Sequence, residues 1–127
     1  MPTLRLMGLF FLALGALSGW VIAATLTKPT WFEDRGVKEP RRFLQVHLDW
    51  IIMGLILIAV DLAVPGAPVW VKVLIGIGTV LNPLLFLPLA WGTEHALHPA
   101  YRTITPISFA CMSGGLTALF VVALTRA

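Results

Sequence analysis

The segment RRFLQVHLDWIIMG, residues 41–54, sets an imidazole and a carboxylate inside an otherwise apolar run. A histidine can ligate a metal or move a proton, and an aspartate can accept a proton or pair with a cation. An ionisable group is costly in hydrocarbon, so each of these residues is expected to face a partner or a cavity. At about 1.5 Å per helical residue, His47 lies about 6–8 Å below the start of its run. His47 and Asp49 are about 200° apart around a helix, so they are not a ready-made acid–base pair. Arg42, Gln45 and Asp49 share a stripe that reads as a packing or ion-pair seam. His47 shares its face with Trp50, Ile51, Gly54 and Ile58, which reads as an apolar groove with one nitrogen ligand.

A flat apolar cofactor suits such a groove, and haem b is the leading candidate. Histidine is a standard axial ligand, and Arg41 and Arg42 lie at the depth where propionates would emerge. The alternative is a buried imidazole bonded to a backbone carbonyl or to Asp61 of a neighbouring copy. Met53 lies about 240° round from His47 and is expected to line a neighbouring pocket, not to be a second axial ligand in the same chain. The remaining histidines, His95 and His98, stand beside Glu94 in WGTEHALHPAYR, residues 91–102. Two nitrogens are too few for a metal centre, and a structural or interfacial role is the better reading. Asn82–Pro83 is a further polar feature inside an apolar run. At helical rise Asn82 lies about 14 Å from the loop-side end of its run, in the same half of the membrane as His47, with the proline freeing a backbone carbonyl.

These residues must be positioned by membrane helices. The chain has 127 residues, 58% hydrophobic and 12% charged, with a mean hydropathy of +0.90. Soluble domains carry about a quarter charged residues. Four apolar runs, at about 6–27, 43–64, 69–91 and 103–125, are long enough to span a bilayer, which needs about 20 helical residues. The first run exceeds the about 7–15 apolar residues of a signal peptide and reads as a span. The expected architecture is therefore all-α: an integral membrane four-helix bundle, a single transmembrane domain over 1–127 with both termini on one side. VPGAP, residues 64–68, is the tight turn on the terminal side.

The net charge of +3 does not point to nucleic acid. Lys28, Arg35, Lys38, Arg41, Arg42 and Arg102 flank the long connections, against Arg5, Lys72 and Arg126 on the other side. The positive-inside rule places the long connections in the cytoplasm of a multi-pass cell-membrane protein. Small residues mark packing faces: Gly8, Gly15 and Gly19 in the first run, and Ala110, Gly114 and Ala118 in the last. Either stripe serves one bundle or an oligomer. Trp20, Trp31, Trp70 and Trp91 near the span ends read as interfacial anchors in contact with lipid.

GLFFLALGALSGW, then a polar loop with a proline and arginines, then FLQVHLDWIIMGLILIA, resembles the small four-span membrane proteins that include styrene oxide isomerase and hydroxylaminobenzene mutase. The resemblance covers roughly residues 8–60. His47 matches the family's histidine and Gly54 its glycine. It implies a homotrimer that binds haem b between subunits through His47. Ferric iron would act there as a Lewis acid on a small lipophilic epoxide or arylhydroxylamine, with no net redox change. Met53 stands where the family has asparagine, and the third span has neither the family's Asp nor its Tyr, Tyr101 being in a loop. Catalytic side chains are thus unassigned, with Asn82 and Met53 as candidates. The chain reads as an isomerase-like enzyme, as a non-catalytic haem-binding or accessory subunit of a membrane complex, or as a haem-free scaffold.

Overall fold

The computed structural model describes residues 3–127. Among these residues the secondary structure is helical and no strand occurs. The elements are α1 (Thr3–Thr27), a short α2 (Pro29–Glu33), α3 (Arg41–Ala63), α4 (Val69–Phe86) and α5 (Pro99–Arg126). Two 3-10 turns, Pro88–Ala90 and Thr93–Leu97, link α4 to α5. Four helices are long and apolar enough to cross a membrane, the third being α4 with the turn that follows it. A helix satisfies its own backbone groups, which is what a segment in hydrocarbon requires.

The helix ends follow local chemistry. Pro99 occupies the first turn of α5, and His98 Nδ1 accepts the Ala100 N–H at 3.1 Å. This cap starts α5 at Pro99, ahead of the apolar residues that marked it from about 103. Gly66 adopts φ +70°, a left-handed conformation favouring glycine, between Pro65 and Pro68 in the α3–α4 turn. Pro83 lies inside α4 and is buried.

The dominant helix contacts run α1–α3, α3–α4 and α4–α5. Glycines let the outer pairs approach closely. A Cβ on Gly8 would stand 2.7 Å from the Gly54 carbonyl oxygen, and one on Gly15 would stand 2.6 Å from Ile51 Cγ1. Across α4–α5, a Cβ on Gly78 would meet Met112 at 2.9 Å and one on Gly115 would meet Ile75 at 2.7 Å. Leu4, Phe11, Leu57, Val71, Ile75 and Leu119 form a buried apolar core drawn from all four long helices. The α1 stripe is therefore used within the chain. On α5, however, Gly115 faces α4, while Ala110 and Gly114 are exposed. Ala118 is half-buried against the core.

The start of α1 and the end of α5 lie on the side of the short turn. Arg5 pairs with Asp61 at the end of α3. Arg126 donates to the carbonyls of Pro65 and Gly66, each at 3.1 Å. The long connections meet on the other side. The Lys38 and Glu39 N–H groups both donate to the Ala90 carbonyl at 2.9 Å. Trp91 Nε1 donates to the Arg35 carbonyl at 3.2 Å.

Candidate functional site: the His47 pair

His47 projects from the loop-side half of α3 toward α1. Its Nδ1 lies 3.0 Å from the Ser18 hydroxyl. Ser18 in turn donates its only proton to the Gly15 carbonyl, at 2.8 Å, the usual back-bond of a helical serine. The hydroxyl oxygen therefore accepts from Nδ1–H. In the tautomer that matches this bond, Nδ1 carries the proton and Nε2 presents a lone pair. Nε2 has no hydrogen-bond partner among the described residues, and the ring is half-buried. Gly19 opposes the imidazole, its absent Cβ lying 3.4 Å from Cε1.

The rest of the expected groove is filled. Gly54 touches α1: a Cβ there would meet the Gly8 carbonyl oxygen at 2.7 Å and Leu12 at 3.1 Å. Ile51 and Ile58 cover Gly15 and Gly8. Trp50 stacks obliquely on Phe11, with centroids 4.8 Å apart. Met53 is buried in the central core and lines no pocket beside His47. Within one chain, then, Trp50, Gly54 and Met53 pack helix against helix. The physical reason is that the α1 glycines bring a backbone onto the face that would otherwise be open.

Asp49 belongs to a different contact from the one expected. Asn82 Nδ2 donates to Asp49 Oδ2 at 2.9 Å, joining α3 to α4. Arg42 is held instead by Glu39 at 3.2 Å and by Gln45 at 2.7 Å. Arg41 shares a polar cleft with Lys38, Glu39 and Gln45. Asp61 is paired with Arg5.

The loop histidines sit elsewhere. His95, His98 and Tyr101 line a groove of about 410 Å³ with Leu81, Leu84 and Pro88, between the end of α4 and the start of α5. Tyr101 donates to the Leu85 carbonyl at 2.8 Å, satisfying one of the last acceptors of α4. Glu94 contacts Lys38 at 3.4 Å. Its own backbone N–H, and then Lys38, hold its carboxyl below the usual range. Among the described residues, no group of three His, Cys, Asp or Glu could hold a metal ion together. His47 stands as a single nitrogen donor, with no second ligand beside it among the described residues.

Sequence reasoning missed Ser18. It lies three residues after Gly15 on the face that the glycine stripe marks, and a hydroxyl on that face was the available signal. Comparisons with protein-family models, curated proteins and solved structures return no match for this chain.

Proposed function

We propose that this chain is an integral membrane haem-binding protein of the cell membrane, similar in plan to the styrene oxide isomerase group. In this reading His47 Nε2 would hold the iron of haem b at a boundary between copies of the chain. The observation that carries the reading is the relay from Gly15 C=O through Ser18 to His47. It orients the imidazole and leaves Nε2 without a protein partner among the described residues. Metal-ligating histidines ordinarily have the other nitrogen fixed by such a hydrogen bond.

The fit is one-sided. His47 supplies the nitrogen, but the face below it is covered by α1, so a second copy must supply the other wall. Arg42 is engaged by Glu39 and Gln45, which leaves Arg41, with no carboxylate partner among the described residues, to meet a propionate. Ferric haem supplies a Lewis acid for the oxygen of an epoxide or arylhydroxylamine, and the rearrangement leaves the overall redox state unchanged. Ser18 holds the imidazole proton on Nδ1 throughout. The apolar flanks of α1 and α3 exclude water and admit a lipophilic substrate from the bilayer.

A second reading, a non-catalytic haem-binding or accessory subunit, is favoured by one observation. Met53 is buried in the core and Asn82 is bound to Asp49, so neither faces His47. Absorbance of the protein purified in mild detergent tests both readings. A Soret band is expected in the wild type and its loss in His47→Ala, with helical content unchanged. Full haem occupancy in the variant, or a wild type that takes up no haem, overturns the assignment. Turnover of epoxides or arylhydroxylamines by haem-loaded protein then decides between enzyme and accessory subunit.

A further inference from the structure

A second feature lies at the loop-side ends of the helices and does not involve His47. α1, α2, the start of α3 and Trp91 enclose a groove of about 610 Å³. Its apolar lining includes Trp20, Trp31, Phe43 and Trp91, and its charged lining is Lys28 and Arg35. Grooves of about 300–1,000 Å³ lined by aromatics with a few placed polar groups are typical ligand sites.

The charges are one-sided and partly preset. No carboxylate lines the groove, and neither Lys28 nor Arg35 forms an ion pair among the described residues. The Arg35 guanidinium rests 3.6 Å from the centroid of Trp31 and donates through Nη1 to the Trp31 carbonyl at 2.9 Å. One N–H is thus used and the others of its five remain for an anion. The loop beneath is held by Phe32, Val37 and Ala90, which form their own small core. Phe43 packs edge-on against Trp91, with centroids 5.6 Å apart. Trp31, Phe32, Phe43 and Trp91 thus form a connected aromatic wall, with Trp20 exposed beside it. Tryptophan favours the depth where acyl chain meets headgroup, and two unpaired cations at that depth select an anionic amphiphile.

We propose that this groove binds one anionic phospholipid. Its phosphate meets Lys28 and Arg35, and the upper part of one acyl chain lies against Trp20, Phe43 and Trp91. Each cation near a membrane surface is worth about a five-fold preference for an anionic headgroup, so two together give up to about 25-fold.

The test is native mass spectrometry of the full chain, in its own oligomeric state, from a neutral detergent. It is titrated with phosphatidylglycerol or with phosphatidylcholine of the same acyl chains. Wild-type protein is expected to retain phosphatidylglycerol better by up to about 25-fold. The pair Lys28→Gln and Arg35→Gln should abolish the preference, whereas Lys72→Gln and His47→Ala should keep it. Inorganic phosphate at the lipid's concentration should not displace the lipid, which separates a lipid site from a simple anion site. Equal retention of the two lipids by wild type overturns the proposal, as it would if a second copy filled the groove. So does a folded double variant with its preference intact, or displacement by free phosphate. Should the double variant lose helical content, the wild type decides. Its preference must fall as salt rises, and Trp20→Ala, at a largely exposed side chain, must lower retention of both lipids.

Discussion

His47 and Asp49 stand two residues apart on α3 and bond in different directions, His47 to α1 and Asp49 to α4. In the proposed haem site, Ser18 is a positioning residue. Ser18→Ala removes the acceptor for Nδ1–H and frees the ring to rotate. Haem affinity should fall by about 10–100-fold, as for other outer partners of ligating histidines, with helical content unchanged. A haem titration followed in the Soret region measures this, and an unaltered affinity would strip the Ser18 bond of its assigned role. Asn82→Leu probes the other direction. It leaves Asp49 without its donor inside a span, which should cost about 1–3 kcal/mol in an unfolding titration in mixed micelles. Asp49→Asn, which keeps an amide able to accept from Asn82, should cost less. The ionisable members of both pairs were legible in the sequence, because charge in an apolar run needs a partner. The partners were not, since they lie 29 and 33 residues away and depend on the register between helices.

The spans themselves were legible because bilayer thickness sets their length and four apolar runs meet it. Their ends were less so: α1 already runs at Thr3, and α5 begins at Pro99, outside its apolar run, because the His98 cap and Pro99 set its start. The faces were harder still. The glycines of α1 were recognisable as a close-packing stripe, but the sequence did not reveal that Gly54 is their counterpart on α3. The structure sets Gly8 and Gly54 backbone to backbone, so what looked like the floor of a cofactor groove is a helix crossing. Gly54→Ala tests the crossing. Its new methyl would stand 2.7 Å from the Gly8 carbonyl oxygen, which cannot yield unless the helices separate. A loss of about 1–3 kcal/mol is expected by the same unfolding titration, in line with other overpacked contacts. A variant as stable as the wild type would mean that α1 and α3 do not cross at these glycines.

At the scale of the whole molecule, the four helices form an open arrangement whose outer members are the least enclosed. In the most apolar window of each span, 17% is buried for α1 and for α5, against 28% for α3 and 33% for α4 with its following turn. The outer helices therefore meet lipid or other copies of the chain. They differ in what they can offer another helix. The small-residue face of α1 is already occupied by α3, whereas α5 keeps Ala110 and Gly114 exposed, with open space around Gly114. Close helix approach in lipid depends on such small residues. The proposed trimer is thus expected to use the α5 face, and the haem site, completed between copies, should depend on it. Gly114→Leu places a branched side chain on that face without touching the contacts of α5 with α4, which run through Gly115 and Met112. Native mass spectrometry in mild detergent should show trimer in the wild type and monomer in the variant. The Soret band should disappear with assembly although His47 and Ser18 are intact. A variant that stays trimeric would remove α5 from the interface. A monomer that keeps its haem would place the whole binding site within one chain, against the covered face seen below His47.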